Sequence, residues 1–449
     1  MSRKSTRFAH DQTIYERPVE LLQNLIRFDT TNPPGNEAEC VKYINTLLTD
    51  AGFETVVLFK DINRPNLIAR LKGQGATAPI LLYGHADVVT TANQKWTHPP
   101  FEAEIEDGYI WGRGALDMKG GVAMMLSALL RAKAEHLNPP GDVVLAILSD
   151  EEALGDYGAK FLVENHAEYF KGIRYAIGEI GGFPLYVGKK RFYPIGVTEK
   201  QICLIKAVIR GPSGHGSQSM HGGAMAKLSQ LLQQLDTKSL PVHITPVVKQ
   251  MIEEISSSIG FPSGFVLRQL LKPTFTNRVL KLLGKRGQGF EPLFHNTVNA
   301  TVVHGGEKFN VIPSEITLEL DGRLLPSFGP KDMMTELRQI IGDEVELEVI
   351  RHDPGPAEPN MGLFNLLSEI LQEADPDGKT LPLLLTAVTD ARFFSRLGIQ
   401  TYGFTPMKLP PDFNFIQAIH AEDERIPVES VAFGAEAIYK VLQRFQEPK

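Results

Sequence analysis

The stretch Pro79-Ile80-Leu81-Leu82-Tyr83-Gly84-His85-Ala86-Asp87 decides the fold. Its apolar run, Pro79–Tyr83, is too short for a core helix and ends on a glycine, an imidazole and a carboxylate. That is the pattern of a strand buried on both faces, delivering polar chemistry into the loop that follows. The pattern recurs downstream. Asp142–Leu148 is followed by Ser149-Asp150-Glu151-Glu152, and Tyr175–Ile177 by Gly178-Glu179, while Asn66–Leu71 reads as a further buried strand. Helical spacing fills the intervals at Glu20–Phe28, Glu37–Ala51, Gly121–Glu135 and Ala159–Asn165. Strand–helix alternation of this kind predicts an α/β layer with a largely parallel sheet.

The character changes near Thr198. Gln201–Arg210, Thr297–Val303 and Glu315–Leu320 alternate as half-exposed strands do. Between them lie helical stretches at Pro246–Ile259 and Gly264–Leu283, and Pro273 inside the second predicts two short helices or a kinked one. After Asp321-Gly322-Arg323 the α/β pattern returns, with Val345–Ile350, Gln400–Phe404 and a closing helix at Val428–Phe445. The simplest division is one α/β domain in two parts, residues 1–197 and 318–449, interrupted by a smaller α+β domain at 198–317.

Composition narrows the function classes. With 449 residues, 43% hydrophobic and 22% charged, the chain has the make-up of an ordinary globular protein of two or three domains. Lys+Arg 46 against Asp+Glu 53 leaves a net charge of −7, which gives no reason to expect a nucleic acid or an anionic membrane as partner. Cys40 and Cys203 form no CxxC pair, so a disulfide framework is unsupported and a reducing cytoplasm fits best. The longest apolar runs, Val143–Leu148 and Leu381–Val388, fall far short of the roughly 18 residues a membrane span needs. Met1–Ala9 carries Arg3, Lys4 and Arg7 without an apolar segment behind them, which reads as a polar tail rather than a signal peptide, with an organelle transit peptide as the alternative. An enzyme or a binding protein remains.

Open parallel sheets present ligand sites at the carboxyl ends of their strands. Those ends here carry His85 and Asp87, Glu151 and Glu152, and Glu179; Arg113-Gly114-Ala115-Leu116-Asp117-Met118-Lys119-Gly120-Gly121 leads into an apolar helix, and His420-Ala421-Glu422-Asp423-Glu424 lies near the C-terminus. Imidazole mixed with carboxylate suits zinc or a similar divalent ion. Charge balance fits two of them: two divalent cations and one bridging hydroxide would be neutralised by Asp117, Glu152 and Glu179, with His85 and His420 uncharged. Each residue alone could equally be a solvated loop residue or a cap. The glycine-rich turn could cradle a phosphate, although it lacks both the GxGxxG and the Walker spacing.

At these residues the sequence resembles the dizinc metallopeptidase family of aminoacylase, acetylornithine deacetylase, succinyl-diaminopimelate desuccinylase, glutamate carboxypeptidase and carboxypeptidase S. The motifs are Gly84-His85-Ala86-Asp87-Val88-Val89, Gly112-Arg113-Gly114-Ala115-Leu116-Asp117-Met118-Lys119-Gly120-Gly121 and Ser149-Asp150-Glu151-Glu152, and the match runs from about Val19 onward. The resemblance implies a mixed, largely parallel α/β sheet flanked by helices, of the zinc-exopeptidase kind, with the smaller α+β domain inserted as a lid and dimerisation domain. It implies a metal set of His85, Asp117, Glu152, Glu179 and His420, in which Asp117 bridges both ions and joins Met118 through a cis peptide. Asp87 would orient the His85 imidazole. Glu151 stands where the family keeps its general base, and adjacent residues leaving a strand point opposite ways, so Glu152 would face the metal while Glu151 faces the water.

In the inserted domain, Gly211-Pro212-Ser213-Gly214-His215-Gly216-Ser217 is similar to the motif whose His stabilises the oxyanion, a residue that in the family can come from the other subunit of a dimer. Asn310, Arg323, Thr389 and Arg392 resemble substrate-contacting positions, although either Arg could serve a structural ion pair instead. Two departures stand out: the fourth motif, Gly178-Glu179-Ile180-Gly181-Gly182, lacks a second acid, and extra helices at about 243–289 resemble the larger carboxypeptidase S-like branch. The expected activity is cleavage, by hydroxide attack, of a peptide or N-acyl amide bond in a small substrate with a free carboxylate. Zinc is foremost among the metals, with cobalt and manganese as alternatives, and a homodimer through the inserted domain is the expected assembly. Deacylation of the acetylornithine type, or a catalytically silent binding relative, are the competing readings.

Overall fold

The apolar runs that announced the fold lie side by side in the computed structural model, which describes residues 13–356 and 358–446. The basic stretch Met1–Ala9 therefore lies outside the described residues. Strands β1 (Glu54–Phe59), β2 (Pro65–Leu71), β3 (Ile80–His85), β4 (Val143–Leu148) and β5 (Tyr175–Gly178) are ordered β1-β2-β4-β3-β5, followed by the strand Gln400–Gly403. β3 runs parallel to both β4 and β5, and β5 parallel to Gln400–Gly403, whereas β1 and β2 are antiparallel additions at one edge. Beyond Gln400–Gly403 the sheet continues with the antiparallel strand Lys190–Glu199, so it is mixed, as expected, with a parallel centre of four strands and antiparallel strands on both sides.

Every residue of β3 and β4 is buried, which is why these strands read as unbroken apolar runs. On one face Leu81, Tyr83, Val144, Ala146 and Leu148 pack with Phe170, Phe393 and Phe394. On the other lie helices, labelled α1 (Pro18–Ile26), α2 (Ala38–Asp50) and α3 (Lys119–Ala134). α3 packs against β3, α1 and the C-terminal helix Val428–Arg444, and it is buried nearly all round. Its approach requires Gly84, where a Cβ would lie 2.8 Å from Met118 Cε and 2.9 Å from Val122 Cγ2.

These elements belong to the first of two units, made of the chain up to Val197, Asn360–Leu381 and the chain from Thr389. The second comprises Thr198–Pro359 with Pro382–Val388. Its antiparallel sheet has the order β7-β8-β6-β9, built from β6 (Gln201–Arg210), β7 (Thr297–His304), β8 (Glu315–Leu324) and β9 (Glu346–Asp353). Helices α4 (Ala224–Thr237), α5 (Pro246–Ile259), α6 (Ser263–Arg268), α7 (Pro273–Leu283) and α8 (Pro330–Ile341) complete it. Leu231 of α4 and Met333 and Leu337 of α8 cover one sheet face, over Ile205, Ala207 and Leu318. Pro273 does divide the predicted long helix: it opens α7, in the first turn where its missing N–H costs nothing.

The second boundary differs from the expectation. The sequence placed residues 318–359 back in the α/β domain, but the second unit keeps them to Pro359. β9 pairs with β6 and α8 closes the core beneath it, so neither can leave without exposing apolar surface. A strand's own pattern reports its burial, not the identity of its neighbour.

Leu145 sits on β4, with β2 and β3 on either side and no solvent exposure. Leu145→Ala is expected to cost about 2–5 kcal/mol of unfolding free energy. Urea denaturation measures it, and a loss under about 1 kcal/mol would contradict this packing.

Candidate metal centre

Parallel strands bring their carboxyl ends to one edge of the sheet. His85 is the last residue of β3, and Glu179 follows β5 directly. After β4 the chain turns through Asp150, at φ +71°, into a 3-10 turn at Glu151–Ala153. Asp117 precedes α3 and is joined to Met118 by a cis peptide, as the motif implied. His420 arrives from a distant loop, at φ +61°. Non-glycine residues in this left-handed region persist only where their surroundings hold them, commonly at functional sites.

Asp117 faces two imidazoles at once. Its Oδ1 lies 3.1 Å from His85 Nε2 and its Oδ2 lies 3.1 Å from His420 Nε2. Glu179 Oε2 is 3.7 Å from His85 Nε2, and Glu152 Oε1 is 3.2 Å from His420 Nε2. Two groups result, His85–Asp117–Glu179 and Asp117–Glu152–His420, and within each the donor atoms lie within 4.8 Å of one another. Each offers one imidazole, one carboxylate of its own and one oxygen of the shared Asp117. This is a nitrogen–oxygen donor set for a divalent cation. The buried Glu152 Oε1, on which no hydrogen-bond donor is aligned, points to the same fit.

The charges press on one another accordingly. Burial, then the charge of Asp117, raises the Glu152 carboxyl to about 7. Burial and the Glu179 charge push Glu151 well above the usual carboxylate range, the direction a general base requires. The Asp117 and Glu152 carboxylates lift His420 to about 10. Burial opposes a charge on His85, but Asp117, Asp87 and Glu179 outweigh it and raise that imidazole too.

Asp87 does more than the sequence assigned to it. His85 Nδ1 lies 3.0 Å from its main-chain oxygen and 3.4 Å from its Oδ1. Its carboxylate also accepts the backbone N–H groups of Glu151 and Glu152, both at 3.1 Å, and the Asn32 side-chain amide at 2.8 Å. Glu151 and Glu152 therefore leave the sheet on a 3-10 turn pinned by Asp87, not as alternating residues of an extended strand. Their side chains still diverge, because successive residues of a 3-10 turn are about 120° apart.

Two supports were not assigned from sequence. Glu424 is fully buried, pairs with Arg113 at 2.6 Å and accepts the backbone N–H groups of Leu116 at 2.7 Å and Asp117 at 3.2 Å. It stands four residues after His420, which was its only sequence signal. Asp390 is buried with no hydrogen-bond donor on either carboxylate oxygen, and burial raises it to about 7. It sits between the quoted Thr389 and Arg392. Thr389 Oγ1 accepts from Ala391 N–H, and the buried Arg392 guanidinium donates to Thr389 O and lies 4.4 Å from the Phe393 ring centroid.

His215, Asn310 and Arg323 belong to the second unit. There His215 pairs with Val311 across a two-residue ladder, and Gly216 N–H donates to Asn310 O, so the His and Asn motifs are brought together. The Arg323 guanidinium forks onto Asp321 at 2.7 and 3.0 Å, an ion pair within its own strand. Lys200 beside it is buried and depressed to about 7, by burial first and the Arg323 charge second.

A metal ligand must be unprotonated, so cations compete with protons at His420, His85 and Glu152. All three are raised, so proton competition weakens as pH rises and sharpens as it falls. Adding zinc at about pH 7 in weak buffer should release protons, and retained zinc should decline from about pH 8 to about pH 6. Loading without proton release would contradict the assignment.

Comparison with known proteins gives the family and the fold. The model of Peptidase family M20/M25/M40 matches residues 81–444. The chain is 28% identical over 389 residues to a probable carboxypeptidase S-like 2 of Dictyostelium discoideum, spanning 82% of this chain and 72% of that one. It is 26% identical over 443 residues to the N-fatty-acyl-amino acid synthase/hydrolase PM20D1 of Xenopus tropicalis, spanning 95% and 85%. The solved structure of human carnosine dipeptidase 1 shares the fold, with a TM-score of 0.67 at 15% identity over 96% of both chains. The family suggested by the three motifs is the one found: the chain belongs to peptidase family M20/M25/M40 and is a hydrolytic enzyme.

Proposed function

We propose that the chain is a two-metal amidohydrolase cleaving a peptide or N-acyl amide bond in a small substrate that carries a free carboxylate. The observation that carries this reading is Asp117, with one oxygen 3.1 Å from each of two imidazoles and a separate carboxylate beside each. Its ligands are His85, Asp117, Glu152, Glu179 and His420. Zinc suits this donor set first, and cobalt and manganese also accept it. When bound, such a pair supplies Lewis acidity at the scissile carbonyl and lowers the pKa of the attacking water. Glu151 takes the proton from that water and hands it to the leaving amine, and Asp87 holds Glu151, Glu152 and His85 in register for the task. His215 donates to the oxyanion, with Asn310, Thr389 and Arg392 as substrate contacts, and the fork of Arg323 onto Asp321 favours the structural ion pair over a substrate contact there. The names of the carboxypeptidase S-like and N-fatty-acyl-amino acid relatives support the two substrate classes.

Glu151→Gln is expected to lower kcat by about 10²–10⁴-fold with metal content unchanged. The assay is a panel of dipeptides and N-acyl amino acids with added zinc or cobalt, alongside metal analysis. A fully active variant, or hydrolysis that survives a chelator, would refute the mechanism.

The second unit also supports a homodimer. β7 is the edge strand of its sheet and exposes Val302 and Val303, and α4 packs alongside it with Met225 and Leu232 exposed seven residues apart on one stripe. Light scattering should report a dimer, and Val303→Lys should dissociate it; a monomeric parent protein would dispose of this assembly.

A further inference from the structure

Residues 260–290 hold six basic side chains, Arg268, Lys272, Arg278, Lys281, Lys285 and Arg286, and no acidic one. They do so in a chain of net charge −7. The same stretch contains α6 and α7 and exposes large apolar side chains: Phe261 is 88% exposed, Leu282 75%, Phe265 60% and Phe275 43%. On α7 the two features share one face. Thr276, Val279 and Leu280 turn into the unit, which leaves Phe275, Arg278 and Leu282 at i, i+3 and i+7 along the outer stripe, with Lys281 beside them. The Arg278 guanidinium lies 6.0 Å from the Phe275 ring centroid.

We infer that this face docks on an anionic lipid surface. Lysine and arginine beside exposed phenylalanine and leucine suit the boundary between headgroups and acyl chains: the rings and Leu282 enter the apolar layer, and the cations meet the phosphates. A polyanion in solution would match the charges but offer the exposed Phe261, Phe265, Phe275 and Leu282 no apolar phase. The whole-chain charge does not forbid the contact. At physiological ionic strength, charges more than about 8 Å away are screened, so the local excess of cations governs. Of the flanking acids, Glu291 follows the stretch directly and accepts from the Ser239 hydroxyl at 2.8 Å, and Glu253 and Glu254 lie on α5, before the stretch begins. Among the described residues no helix is long and apolar enough to cross a membrane, so the contact is peripheral.

The test uses the full chain, sedimented with vesicles of phosphatidylcholine alone or of equimolar phosphatidylcholine and phosphatidylglycerol. Binding is expected to the anionic vesicles only, with release at high salt. Lys281→Gln with Lys285→Gln should weaken partitioning about 30-fold. Phe275→Ser with Leu282→Ser should weaken it about 100-fold, while hydrolysis of a soluble dipeptide stays unchanged. Equal binding to both vesicle types, no binding to either, or variants that bind like the parent would each overturn the inference. So would a parent dimer that the Phe275→Ser/Leu282→Ser variant splits, because a second copy would then own the face.

Discussion

Burying Asp117, Glu151, Glu152 and Glu179 against one another is the constraint on which the rest of the first unit depends. Carboxylates this close and this buried resist ionisation together, and the rise of Glu152 to about 7 expresses that resistance. His85 and His420 are drawn toward their charged forms because nothing else in the cluster is cationic enough to compensate. Divalent cations would compensate with more charge from fewer atoms, and would return both imidazoles to their neutral, ligating state. The donor set is balanced for that exchange: Asp117 serves both sides, and each side keeps one imidazole and one carboxylate of its own.

Such a cluster needs a rigid mounting, and buried ion pairs supply it. Arg113 pairs with Glu424 at 2.6 Å, and Arg64 pairs with Glu37 at 2.9 Å and Asp150 at 2.8 Å. Pairs of this kind contribute little net stability, but removing one partner strands a buried charge at a cost of about 3–5 kcal/mol. Their value here is positional. Glu424 grips the backbone N–H groups of Leu116 and Asp117, and Asp150 accepts from Tyr157 N–H in the turn that presents Glu151 and Glu152.

The two units divide the labour by sheet type. A parallel sheet covered on both faces, as around β3 and β4, has no apolar surface left to offer a partner, and it carries the chemistry at its strand ends. The antiparallel sheet of the second unit is covered by α4 and α8 on one face and leaves β7 largely exposed. Exposed apolar side chains stand on β7, α4 and α7 in the second unit, and on the edge strand β1 of the first, at Val57 and Phe59.

The short apolar runs ending in His85, Glu151 and Glu179 were legible because burial on both faces and a polar strand end are local properties, written in consecutive residues. The break of the predicted helix at Pro273 was legible for the same reason. What only the tertiary structure decided were relations between distant residues. Asp87 reaches the N–H groups of Glu151 and Glu152 across 64 and 65 residues of chain, and Glu424 reaches Leu116 across 308. β9 pairs with β6 and so carries residues 318–359 into the second unit. A residue's type and its neighbours determine what it can bond; which partner it meets depends on where the folded backbone brings the two together.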